Sequence, residues 1–167
     1  RLEVLKALGI LNTPPEERFD RFTRFAQRLF DVPISYASLL GEDAEWFKST
    51  QGIDIEQGPR DVSFCSHNIL SDSAMVVEDL TQDRRFRDSP LVANAPYARS
   101  YAGVRLAARD GINVGALCFI DTRIRSFSGE ELQILGDLGR MIELEFHTQS
   151  MASTDELTGL SNRRGFR

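Results

Sequence analysis

The chain has 167 residues, 41% apolar and 27% charged, which is enough for one domain core and a short attached segment. A formal net charge of −5 supplies no overall basic field to draw in nucleic acid or anionic lipid. No stretch approaches the roughly 20 apolar residues that cross a bilayer, and RLEVLKALGIL is too short and too charged for a signal peptide. The chain therefore reads as cytoplasmic, without membrane contact of its own. Its opening on Arg1, with no Met, reads as a piece of a longer protein that could carry spans elsewhere.

Leu2, Leu5, Leu8 and Leu11 recur at three-residue steps, predicting a short helix that Asn12-Thr13-Pro14-Pro15 ends. A second helix begins near Pro15, with Glu16 and Glu17 in its first turn and Phe19, Phe22, Phe25, Ala26 and Leu29 as its apolar face. Asp31-Val32-Pro33 stops it. Residues 34–40 alternate as a strand, Gly41-Glu42-Asp43 turns the chain, and Trp46-Phe47-Lys48-Ser49 returns as the second strand of the hairpin. Val62, Cys65, Ser66, Ile69 and Leu70 take helical spacing, and residues 74–77 read as a buried strand. The polar run 78–96 reads as a loop with one helical turn, of the kind that covers a site. Residues 101–108 and 112–120 are two further strands joined through Arg109-Asp110-Gly111, a strong hairpin signal. From Ser128 a helix runs unbroken to about Ser150 with Leu135, Leu138, Ile142 and Phe146 along one face. The order α, α, β, β, α, β, β, β, α predicts an α+β two-layer fold, a mainly antiparallel sheet of five or six strands with flanking N- and C-terminal helices.

Phosphate-loop, dinucleotide, HExxH and GxSxG motifs are absent, and His67 and His147 are the two histidines, so no catalytic residue and no metal site is assigned. Cys65 and Cys118 sit in apolar runs without CxxC spacing, which predicts reduced core thiols rather than a disulfide framework. Cys65 and His67 point about 200° apart on an ideal helix, which argues against direct chemistry between them. Arg105 alternates with Val104 and Leu106 and faces either solvent or a polar cavity under the loop. A cavity between the sheet and residues 60–100 is the expected ligand site, with Trp46, Phe64, Cys65, His67, Tyr101 and Arg105 as candidate lining residues.

Several segments together resemble a bacterial subgroup of GAF domains over residues 1–148. They are the run from Leu8 to Asp20 (LGILNTPPEERFD), Trp46-Phe47-Lys48-Ser49, Arg60 to His67 (RDVSFCSH), Asp83-Arg84-Arg85-Phe86 with Pro90-Leu91-Val92, Tyr101-Ala102-Gly103, and Gly115 to Asp121 (GALCFID). Residues 155–164, DELTGLSNRR, resemble the opening DxLTGLxNRR segment of GGDEF domains, which make cyclic di-GMP from two GTP. The GGDEF signature loop is missing, so residues 149–167 read as a linker and the first residues of a truncated GGDEF domain. GTP and Mg²⁺ belong to that missing part, and the chain itself is expected to be no enzyme.

The GAF resemblance implies a sensor of a small molecule or partner, its cofactor unknown, that passes a signal through its terminal helix. Bilin-binding relatives place His directly after the attachment Cys, whereas here Ser66 intervenes. The terminal helix is expected to pair with its copy in a homodimer through Leu135, Leu138, Ile142 and Phe146, because Phe146 would lie past the reach of a small domain. Two other readings stay open: a stand-alone GAF enzyme of the methionine sulfoxide reductase kind, which needs reactive thiols, and a ligand-free dimerisation spacer.

Overall fold

A computed structural model describes residues 1–60, 63–68 and 74–158. Helices α1 (Leu2–Ala7) and α2 (Glu17–Leu29) precede a hairpin of β1 (Ile34–Leu40) and β2 (Ala44–Gln51). Then come β3 (Gln57–Pro59), α3 (Phe64–Asn68), β4 (Met75–Val77), α4 (Pro90–Ala93), β5 (Ser100–Ala107), β6 (Asn113–Asp121) and α5 (Gly129–Thr158). The strands form one antiparallel sheet in the order β3-β2-β1-β6-β5-β4. This is the expected α+β class with terminal helices; β3, at three residues, is too short to announce itself by alternation.

Both faces of the sheet are covered, which explains why β1 is buried at all seven positions. Leu117 and Phe119 of β6 face one way, joining Val4 and Leu5 of α1, Phe19 and Ala26 of α2, and Leu135, Leu138, Ile142 and Phe146 of α5. Ala116, Cys118 and Ile120 face the other way, onto Phe64 and Cys65 of α3 and onto Leu80, Phe86 and Val92 of the following segment. That segment is a loop with two short helical turns where the sequence pointed to one. It holds a 3₁₀ turn at Leu80–Gln82 and α4, each opened by a side-chain cap, Asp79 onto the Thr81 amide and Ser89 onto the Leu91 amide.

Three expectations need correction. First, α1 stops at Ala7, because Gly9 and Asn12 take left-handed φ values of 68° and 54° and turn the chain before Leu11 can join the stripe. Second, α2 buries Phe19, Thr23 and Ala26, with Phe30 just beyond it, while Phe25 and Leu29 are 53% and 46% exposed. At about 100° per residue those two lie roughly 240° and 280° round from Phe19, outside the arc the sheet can cover.

Third, Phe146 is not past the domain. It is 3% exposed, with its ring 5.7 Å from that of Phe19, because α2 runs antiparallel to α5 and extends the core to that level. Arg18 and Arg21 at the start of α2 pair with Glu145, and Arg125 bonds both the Phe30 carbonyl and Glu131 at the other end. Leu135, Leu138 and Ile142 are likewise buried in the chain's own core.

Helix α5 opens with a reciprocal capping box. The Glu131 amide donates to Ser128 Oγ and the Ser128 amide to Glu131 Oε1, at 3.1 and 3.0 Å. The helix continues to Thr158, through the expected boundary at 148/149 and into the first residues of the DELTGLSNRR segment. The remainder of that segment lies outside the described residues, as do Val62, Ile69 and Leu70 of the mid-domain helix.

Candidate functional site

The layer between α3 and the sheet holds a buried polar network among its apolar side chains. β6 runs between β1 and β5, so that Cys118 stands beside Tyr36 on one side and Gly103 on the other. Tyr101 shares a face with Gly103, and its hydroxyl passes over that glycine to Cys118 Sγ at 2.9 Å while accepting from Asn68 Nδ2 at 2.9 Å. A β-carbon on Gly103 would sit 2.3 Å from both Asn68 Nδ2 and the Tyr101 hydroxyl, so the crossing depends on that residue having no side chain.

On the opposite side of Cys118, Cys65 Sγ lies 3.4 Å away, Ser38 Oγ is 3.1 Å from Cys65 Sγ, and Ser38 Oγ is also 3.1 Å from Glu45 Oε2. Ser63 caps the start of α3 by accepting from the Cys65 amide and donates to Glu45 Oε2 at 2.8 Å. Ser38 reaches this face by the ordinary alternation of β1, two and four residues after Tyr36 and Ile34, while the irregularity opposite it, at Lys48, belongs to β2.

Burial dominates the electrostatics. It pushes the Glu45 carboxyl above its ordinary value, against hydrogen bonds from Cys65, Ser63 and Ser38 that pull it down. Burial also raises the Cys65 thiol well above the usual range, and the neighbouring Cys118 and Glu45 raise it further. Tyr36 and Tyr101 are raised well above their usual value for the same first reason. Burial thus disfavours the charged forms of Glu45, Cys65, Tyr36 and Tyr101, and a buried protonated thiol is a poor nucleophile. Among the described residues, buried Asn68 Oδ1 has no hydrogen-bond partner.

Of the candidate lining residues, the structure brings Phe64, Cys65 and Tyr101 together. They are packed, not open: the Phe64 ring lies 4.8 Å from Phe86 and 5.1 Å from Tyr101, and all three residues are buried. His67 is at the rim, half-buried and edge-on to Phe86 at 5.1 Å, its pKa lowered by burial and then by Arg85. Cys65 turns inward to the network, so the expected separation of the two side chains is what the helix produces. Arg105 is half-buried and bonds elsewhere, from Nη1 to Asn113 Oδ1 at 2.8 Å, bordering a cavity with Ala74, Gln133 and Glu143.

Trp46 belongs to the other face of the sheet, where it lines a cavity of about 470 Å³ with Ile10, Pro14 and Lys48. The buried Lys48 ammonium there ties down the segment between α1 and α2, bonding Glu16 Oε2 at 2.8 Å, Thr13 Oγ1 at 2.6 Å and the Pro14 carbonyl at 2.7 Å. Ser38, Glu45, Ser63, Asn68 and Cys118 are the site residues that sequence reasoning missed. Among the described residues, no group of three or more His, Cys, Asp or Glu could hold a metal ion, and no helix is long and apolar enough to cross a membrane.

No family model matches the chain. A cyclic di-GMP phosphodiesterase of Pseudomonas aeruginosa is 39% identical to it over 158 residues, 93% of this chain and 27% of that protein. The chain thus spans little more than a quarter of that relative's length. Among solved structures, the GAF domain of an Acinetobacter phosphoenolpyruvate-protein phosphotransferase superposes with a TM-score of 0.68 at 13% identity, covering 92% of this chain and 96% of that one. The fold is that of GAF domains. A free methionine-R-sulfoxide reductase from Neisseria meningitidis, solved with its substrate, also has a TM-score of 0.68, at 16% identity and with 90% and 87% coverage. The chromophore-binding domain of a bacteriophytochrome from R. palustris reaches 0.63 at 10% identity, with 90% and 61% coverage. The fold is therefore shared by a reductase, a bacteriophytochrome's chromophore-binding domain and a phosphotransferase's GAF domain, and what this chain does rests on its own site.

Proposed function

We propose that this chain is the regulatory GAF sensor module of a cyclic di-GMP signalling protein, and that α5 carries its output into a GGDEF-type domain beginning near residue 155. The observation that carries the reading is the 39% identity to a cyclic di-GMP phosphodiesterase across 93% of the chain. Its support is the shape of α5: the helix is anchored in the core as far as Phe146 and continues without a break to Thr158, so a movement at the domain is delivered as a rigid displacement of the helix end. The module works as a homodimer. Since Leu135, Leu138, Ile142 and Phe146 are taken by the chain's own core, the pairing residues are the exposed apolar side chains Phe25 and Leu29 of α2 and Met141 and Leu144 of α5.

Two measurements test this. In the full-length protein, a two-residue insertion after residue 148 turns the helix end by about 200°, whereas a seven-residue insertion nearly restores its direction. Cyclic di-GMP turnover changes with the first and recovers with the second; equal turnover in all three proteins overturns the relay. In sedimentation, the chain runs as a dimer that the double variant Phe25→Glu, Met141→Glu converts to a folded monomer. A wild-type monomer at high micromolar concentration overturns the dimer.

The reductase reading has one observation of its own, the two thiols in contact on a fold shared with methionine-R-sulfoxide reductases. The raised pKa and full burial of Cys65 weigh against it, and the chain is expected to leave free methionine-R-sulfoxide unreduced in the presence of a thiol reductant.

A further inference from the structure

We propose that Cys65 and Cys118 form a thiol-redox site, which a hydroperoxide converts to a disulfide that pins α3 to the middle of the sheet. The inference concerns the thiol pair itself and stands independently of the signalling reading above.

The two cysteines are the chain's only ones, 53 positions apart in sequence, and the fold sets them face to face from different layers, Cys65 on α3 and Cys118 on β6. Their sulfurs are 3.4 Å apart. Closing that gap to a bond of about 2.05 Å brings the two sulfurs together by roughly 1.4 Å. The surroundings suit the chemistry as well as the distance does. Glu45 takes hydrogen bonds from Cys65, Ser63 and Ser38, all of which favour its carboxylate, and in that form it is placed to accept the Cys65 proton. The Ser38 and Tyr101 hydroxyls stand against the two sulfurs and can follow their change of charge.

The reaction balances with a hydroperoxide as the sole added oxidant. Cys65 gives its proton to Glu45 and its sulfur attacks one peroxide oxygen. The O–O bond breaks, the sulfur becomes a sulfenic acid, and the displaced oxygen takes the proton from Glu45 to leave as water, when the oxidant is hydrogen peroxide. The Cys118 sulfur then attacks that of Cys65. The S–S bond forms as the S–O bond breaks, and the departing hydroxide takes the Cys118 proton as a second water. Two thiols have lost two electrons and two protons, and one peroxide has become two waters. Both thiols are fully buried in the closed layer, so reaction waits for the five-residue α3 to lift, and its rate levels off as peroxide is raised.

The test treats the folded chain with hydrogen peroxide, then unfolds it in guanidinium with N-ethylmaleimide and weighs it. The expected product is a single chain about 2 Da lighter than the reduced one that takes no label until a reductant is added. It also melts roughly 10 °C higher, the effect of closing a loop of this length without strain. Cys65→Ala and Cys118→Ala each lack the cross-link. The proposal is overturned if the treated folded chain still takes two labels at a dose that cross-links the unfolded chain. Sulfinic acid without a cross-link overturns it too, as does a disulfide that joins two chains.

Discussion

The crossing of Tyr101 over Gly103 is the tightest point of the buried network, and Gly103→Ala tests whether the network is organised as described. The added methyl would meet Asn68 Nδ2 and the Tyr101 hydroxyl at 2.3 Å and Tyr101 Cζ at 2.9 Å. Both partners are fully buried, so neither can swing aside into water. Overpacking of this kind costs about 1–3 kcal/mol. Displacing the Tyr101 hydroxyl also breaks its contacts with Asn68 and Cys118, at about 1 kcal/mol each. The expected loss is therefore about 3–5 kcal/mol in urea unfolding, which corresponds to a fall in Tm of roughly 10 °C or more.

Gly136→Ala is the matched control. Its β-carbon on α5 would find nothing nearer than Arg140 Nη1 at 4.0 Å, so helix propensity alone acts and the variant gains up to about 1 kcal/mol. If Gly103→Ala loses less than about 0.5 kcal/mol while Gly136→Ala behaves as expected, the glycine is not what lets Tyr101 reach Cys118, and the reasoning fails.

In Glu45→Gln the pH response is the readout. Because the folded-state pKa of Glu45 lies above its ordinary 4.5, the wild type loses stability as pH rises from 4.5 through the raised value, and the variant's unfolding curve is expected to be flatter over that window. Identical pH profiles would contradict the raised pKa. Lys48→Met removes the clamp on the segment between α1 and α2, with an expected loss of about 2–3 kcal/mol in urea. Burial pushes the Glu16 carboxyl up, but bonds from Lys48 and Arg18 outweigh it and hold it below 4.5, so NMR titration of the variant should find it moved upward. Phe146→Ala is expected to cost about 3–5 kcal/mol, a core truncation, rather than weakening association alone. A variant that keeps its Tm and loses only its dimer would return Phe146 to the intermolecular face.

Periodicity in the sequence was enough for the class of fold. Alternation in β1, β5 and β6, the three- and four-residue steps of α5, its Ser128 and Glu131 cap, and the Pro14-Pro15 break are local signals, and local sterics and hydrogen bonding realise them much as read. The same signals could mark Phe64, Cys65 and Tyr101 as inward-facing residues around one mid-domain layer. They could not say that the layer is filled, since packing density is a property of side chains from distant segments, here Phe86 and Leu80 closing on Phe64 and Tyr101.

Nor could alternation decide which face a strand residue takes, because one position of slip reverses every side chain. Trp46 went to the helix face and Glu45 to the thiol face only through the register of β2 on β1. The arc of α2 that is buried, and with it the exposure of Phe25 and Leu29, depended on where the sheet and α5 lie against it. The contact of Cys65 with Cys118 was the least legible of all. Fifty-three positions separate them, neither has a neighbour whose chemistry points to the other, and only the stacking of α3 over the centre of the sheet brings the two sulfurs together.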